Sequence, residues 1–338
     1  MTGTASARLV RRTDGVRPMA DDREEFTRLT AVYRPELLVH CYRMLGSIHD
    51  AEDLVQETYL RAWRAYDRFE GRSSLRVWLY RIATNACLTA LRHRSTRLLP
   101  SGLAGPSEDP EQPLVLARPG VEWLEPLADP AVIAATRGSV RLALISALQH
   151  LPPRQRAVLI LRDVLVWRAS EVAELLDTTT AAVNSALQRA RSQLEREAPR
   201  EEEVAEPAEP EHRRLIDRYA TAFEQADIDG LLRLLREDVA LEMPPHLTWF
   251  RGREAVGRFI GSRVLGGPGV NRMVPTTANG QPAFAVYRRE EDGLHHAHGL
   301  QVVTVTSTGI ARIVTFLEPD LLTAFGLSPT LSPRRPPA

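Results

Sequence analysis

A multidomain chain is what the sequence predicts: two all-α modules followed by one α+β domain. Three observations carry this. At 338 residues the chain exceeds what one hydrophobic core usually serves. Stretches rich in Pro, Gly and Glu interrupt it at residues 95–136 and 198–211. The spacing of apolar residues is helical in the first two blocks and turns to strand-like alternation in the last.

Taken in order, residues 1–25 hold Arg8, Arg11, Arg12 and Arg17 with no apolar segment behind them, so they read as a disordered tail, and Met19 is an alternative start. From 26 to 94 the pattern is helical, with turn signals at Gly46-Ser47 and at Gly71-Arg72-Ser73-Ser74. Leu99-Pro100, Gly105-Pro106, Asp109-Pro110 and Pro119-Gly120 make residues 95–136 a linker. Within it, Val121 to Pro126 around Trp123 carries enough apolar bulk to be expected against a domain. Residues 137–197 form the second helical module, and 198–211 an acidic linker. The segment 212–327 reads as two helices and then strands near 283–287, 299–305 and 310–316, an α+β domain with an antiparallel sheet. The Pro-rich residues 328–338 read as a disordered tail.

Composition narrows the function classes. The 43 basic and 43 acidic residues cancel, so any affinity for nucleic acid must come from local patches. Every basic residue is Arg. Cys41 and Cys87 sit in apolar helical patterns and read as buried thiols of a reducing compartment. Neither belongs to a Cys-x-x-Cys pair, nor stands at zinc spacing from His40 or His49, so neither a metal nor a cofactor is expected. No apolar run reaches membrane-spanning length, which points to a cytoplasmic protein without a membrane partner.

Along the helix Ala51 to Trp63, Leu54, Val55, Thr58 and Ala62 recur at core spacing, which leaves Asp53, Gln56 and Glu57 on the opposite side. Further on, Trp78, Tyr80, Arg81, Asn85 and Arg92 alternate aromatic, cationic and amide groups. Such a surface can stack unpaired bases and neutralise phosphates, which suits melted DNA better than duplex; taken singly, Trp78 and Tyr80 read as core residues and the arginines as solubilising. In the second module Val172, Ala173, Leu176, Val183 and Leu187 have helix-turn-helix spacing, and Thr178, Thr179 or Thr180 can cap the second helix. That helix would present its first turns to a major groove.

The block 26–94 resembles the second conserved region of bacterial sigma factors of the compact extracytoplasmic-function type. The resemblance implies that Asp53, Gln56, Glu57 and Trp63 meet the clamp coiled coil of the polymerase largest subunit, and that Trp78, Arg81 and Asn85 capture the melted promoter element. An amide at 85 offers an extruded base both a donor and an acceptor. Leu148 to Leu159 resembles the approach to the fourth conserved region, which places Asn184, Ser185, Gln188, Arg189 and Arg191 at upstream promoter DNA. Asn184 and Ala186 stand where relatives carry basic residues, so phosphate contacts there are fewer.

Residues 212–327 are similar to SnoaL-like domains, the conical α+β fold shared with nuclear transport factor and ketosteroid isomerase. Tyr219 matches the isomerase's oxyanion-stabilising tyrosine. Met243 stands at its carboxylate base and cannot take a proton, so no catalytic residue is assigned. Tyr219, Met243, His246, Trp249 and His298, with His295 and His296 beside them, are the pocket candidates. The resulting expectation is a non-enzymatic initiation factor with core RNA polymerase and promoter DNA as partners, and a third domain that regulates it, with a small molecule as candidate ligand. Two rivals are a stand-alone ligand-responsive helix-turn-helix regulator and a fusion with a small-molecule enzyme.

Overall fold

The computed structural model describes residues 20–71, 73–93, 95–128, 140–197 and 210–332. Most of both expected tails and of the acidic linker lie outside them. In the first module, helices α1 (Ala20–Ala31), α2 (Arg34–Leu45), α3 (Ile48–Ala65) and α4 (Leu75–Ala90) pack on one another. Helix α1 begins inside the segment 1–25 expected to be disordered, and Phe26, near its middle, packs on Trp63 and Tyr66. Pro35 starts α2, and Gly46 ends it at φ 72°, a left-handed position that glycine adopts without strain. Ser47 and Ser74 cap α3 and α4, their hydroxyls accepting from the Asp50 and Val77 amides.

The second module comprises α5 (Leu142–Gln149), α6 (Pro153–Leu159), α7 (Ala169–Leu175) and α8 (Thr180–Glu197). Helices α7 and α8 form the helix-turn-helix, and the cap is Thr179, whose hydroxyl accepts from the Ala182 amide at 3.1 Å. Val172, Ala173, Leu176, Val183 and Leu187 are all buried.

The third module opens with α9 (Pro210–Glu224) and α10 (Ile228–Leu232), followed by β1 (Leu235–Glu242), β2 (Trp249–Arg251) and α11 (Arg253–Phe259). Strands β3 (Asn271–Ala278), β4 (Gln281–Arg289), β5 (His295–Thr306) and β6 (Gly309–Phe316) complete the main sheet, in the order β2-β1-β6-β5-β4-β3. Helix α12 (Leu321–Ala324) and β7 (Thr330–Leu331) follow, and β7 pairs with β5, so residues up to 332 are ordered where a tail was expected from 328. The sheet is mixed rather than antiparallel, because β1 runs parallel to β6. Local alternation reports that a strand exists but not which distant strand it pairs with. One face of the sheet, with Phe284, Val286, Val303 and Ile313, closes on α9 and α11 as an inner core. Ala285, Leu300, Val302 and Val314 on the other face belong to an apolar cluster continuous with both helical modules.

Residues 95–128, expected as a linker, lie along all three modules. Arg97 pairs with Asp50 at 3.0 Å and with Glu125 at 3.1 Å. Glu125 sits at the N-terminus of α3, accepting from the Ile48 amide at 3.1 Å and the Ser47 hydroxyl at 2.9 Å, where the helix dipole favours an anion. The apolar bulk expected to pack is Leu124, fully buried, with Leu127 behind it. The turn at Ser101 is held by the buried Glu242 carboxylate, which accepts from the Ser101 amide and from Arg312. Residues 115–117 then run along the β1–β2 loop, with Leu116 bridged to His246.

Candidate functional site

On α3, Val55, Thr58 and Ala62 are buried and Leu54 is half-buried. Asp53 and Gln56 are exposed opposite them, and Glu57 holds an i,i+4 ion pair with Arg61 at 2.7 Å. Leu60 is 52% exposed one turn beyond Gln56, a large apolar residue on an acidic face that the pattern of charges does not single out. Trp63 does not share that exposure. It is half-buried against Phe26 and Tyr66 with ring centroids at 5.3 and 6.5 Å.

The second expected surface is on α4. Trp78 is half-buried and packs on Phe69 with centroids 4.8 Å apart, whereas Arg81, Asn85 and Arg92 are exposed. Tyr80 is fully buried and edge-on to Trp167 of the second module at 5.5 Å. Arg81 reaches the same module: its guanidinium lies 3.7 Å from the Glu174 carboxylate and donates to the Glu174 carbonyl. On α8, Asn184, Ser185, Gln188 and Arg189 project to solvent, and Arg191 is held by Asp163 at 2.6 Å. The structure therefore gathers Trp78, Arg81 and Asn85 on one helix, with the helix-turn-helix module packed beside them.

Buried polar groups join the modules, among them Arg156, Gln149, Asn279 and Gln281. Arg156 of α6 donates to the carbonyl of Met44 at the end of α2, to both oxygens of Gln149 and to the Leu151 carbonyl. Burial lowers its guanidinium to about 10, so it stays cationic at neutral pH and complements the negative end of the α2 dipole. Asn279 is fully buried in the β3–β4 turn. Its amide nitrogen donates to the Tyr42 hydroxyl at 2.8 Å and to the Val140 carbonyl at 2.7 Å, and its amide oxygen accepts from the Leu127 amide at 2.8 Å. One side chain thus touches the first module, the approach to the second, and the linker. Neither Arg156 nor Asn279 stands out in the sequence, because each serves partners more than 100 positions away.

The pocket candidates divide. Met243 and His298 line a cavity of about 300 Å³ inside the third module. Tyr219 is fully buried and donates to Gln301, which does line it. His246 and Trp249, expected in the pocket, instead meet the linker: His246 bridges to Leu116, and the Trp249 indole donates to the Ala104 carbonyl at 2.8 Å. His295 is turned to the Gly269 carbonyl and His296 to Asp292. Among the described residues the cavity lining contains no Asp or Glu, and no cluster of His, Cys, Asp or Glu has metal-binding geometry.

Comparison with known proteins bears on the two helical modules first. Residues 29–97 match the family model for sigma-70 region 2, and residues 141–194 that for sigma-70 region 4. The ECF RNA polymerase sigma factor SigG of Mycobacterium tuberculosis is 50% identical over 326 residues, covering 94% of this chain and 88% of the relative. SigJ of the same organism is 29% identical over 86% of this chain and 91% of its own. The crystal structure of SigJ superimposes with a TM-score of 0.59 at 24% identity, covering 89% of this chain and 99% of that one, so the fold similarity extends through the third module. That module is a mixed α+β sheet domain. Because identity with SigG holds along nearly the whole length and both sigma-70 regions fall on the two helical modules, the chain belongs to the extracytoplasmic-function RNA polymerase sigma factors.

Proposed function

We propose that the chain binds core RNA polymerase through the Asp53, Gln56 and Glu57 face, with Leu60 at its centre, and traps melted promoter bases with Trp78, Arg81 and Asn85. Upstream DNA is read by Ser185, Gln188 and Arg189 of α8. The third module regulates this by holding the two helical modules together in the free protein. Duplex recognition at one element and base capture at another need the modules apart, whereas Arg81–Glu174 and Tyr80–Trp167 close one against the other.

The observation that carries the regulatory part is Asn279. Its three hydrogen bonds tie the third module to Tyr42, Leu127 and Val140 in a buried setting, where losing each costs about 1 kcal/mol or more. Tethering keeps the partners at high effective concentration, so a modest interface is well populated until polymerase competes for it. The test is transcription reconstituted with core polymerase. Asn279→Ala is expected to raise initiation at limiting protein by at least tenfold over the parent, since even a loss of about 1.4 kcal/mol from the closed state gives that factor. Unchanged or lower activity of a folded variant contradicts the inhibitory role.

A further inference from the structure

The cavity of the third module has a chemical character that the Asn279 contacts do not use. Phe223 of α9, Met243, Phe259 and Ile260 supply an apolar wall. Arg288 of β4 and Arg263, just after α11, supply the charge, and no acidic side chain is among the described lining residues. Among the described residues Arg288 makes no side-chain hydrogen bond or ion pair, and Arg263 spends one nitrogen on the Gln112 carbonyl at 2.7 Å. A volume of about 300 Å³ is at the small end of ligand sites.

The linker completes the wall. Leu114 enters the cavity lining and packs on the inner core, while its neighbours Val115 and Leu116 are 57% and 62% exposed. This strip is fastened to the β1–β2 loop: the Val115 amide donates to the Thr248 hydroxyl, the Leu247 amide to the Val115 carbonyl, and the Ala117 amide to the Pro245 carbonyl. Whatever fills the cavity therefore touches the segment that runs on to Glu125 and Leu127, at the joint between modules.

We propose that this cavity binds a small apolar carboxylic acid, its carboxylate held by Arg288 and Arg263, its hydrocarbon against Phe223, Met243 and Phe259, and Leu114 closing over it. Arginine binds carboxylate through two parallel N–H groups, and a cation beside an apolar wall selects for an amphipathic anion over a neutral or cationic analogue. Occupancy then stiffens residues 112–117. The inference concerns the input to the regulatory reading above, and binding is measured without polymerase, so the two stand or fall separately.

The test uses the full chain with octanoate, octanol and octylamine as calorimetric probes, and hydrogen exchange of the linker amides. Octanoate should bind at least tenfold more tightly than octanol, with octylamine weakest. Arg288→Gln should remove the advantage of octanoate and leave octanol binding as it was. The Val115, Ala117 and Leu247 amides should exchange at least fivefold more slowly with saturating octanoate, and Leu114→Ala should abolish that slowing. No saturable octanoate binding to the parent protein, or equal affinity for octanol, overturns the carboxylate site whether or not the variants fold. Octanoate binding with unchanged linker exchange overturns the role of Leu114.

Discussion

At the scale of single residues, burial decides more than identity does. His40 is fully buried, its ring bonded to Thr84 at 2.9 Å, and burial, reinforced by Arg43, lowers it to about 3. The unfolded chain then binds a proton that the folded chain refuses between about pH 6.5 and 3. Stability should fall with acidification across that window, by up to about 1.4 kcal/mol per pH unit, and be whole above it. Denaturant titrations at several pH values should show this dependence, and His40→Gln should flatten it. Cys87 is similarly sequestered: its hydrogen bond with Cys41 and burial push its thiol well up. Two further predictions concern the exposed faces. Charge reversal of Asp53 and Glu57 should reduce core polymerase affinity at least tenfold while far-ultraviolet dichroism keeps its native form. Asn85→Ala should slow open-complex formation by about tenfold at one base position of the melted element and leave duplex binding unchanged, which permanganate footprinting across base substitutions resolves.

Among the elements, helices were the most legible and the linker the least. The residues Val55, Thr58 and Ala62 announce the buried stripe of α3, and Thr179 the cap of α8, because both effects act within one or two helical turns. Strand β1 was missed: Arg236, Glu237 and Asp238 interrupt its alternation, and its parallel pairing with β6 depends on residues some 75 positions away. Residues 95–128 carry the local signs of a loop except for the apolar run 121–126, whose packing Leu124 bears out, whereas Arg97 and Glu125 fix them by ion pairs and hydrogen bonds that have no local signature. The same limit applied to the pocket. Met243 and His298 were placed in it from a family likeness, but Leu114, Arg263 and Arg288 line it from segments the likeness did not mark, while His246 and Trp249 serve the linker. One element-scale prediction follows from Glu125. Replacing it by Ala removes the acceptor for Ile48 and Ser47 and the partner of Arg97, and should cost about 1–2 kcal/mol in denaturant midpoint analysis.

At the scale of the whole molecule, the two helical modules are packed together, held by Arg156 and Asn279 and backed by the sheet of the third module. Open and closed states of such a chain differ by rigid-body separation, so a distance between modules reports the equilibrium directly. Because Cys41 and Cys87 are buried, cysteines introduced as Arg68→Cys and Glu195→Cys at exposed positions can be labelled selectively for energy transfer. The account predicts a short single distance in the free chain, a longer one on adding core RNA polymerase, and partial opening without polymerase when Asn279→Ala is introduced. The same distance in all three samples would contradict it.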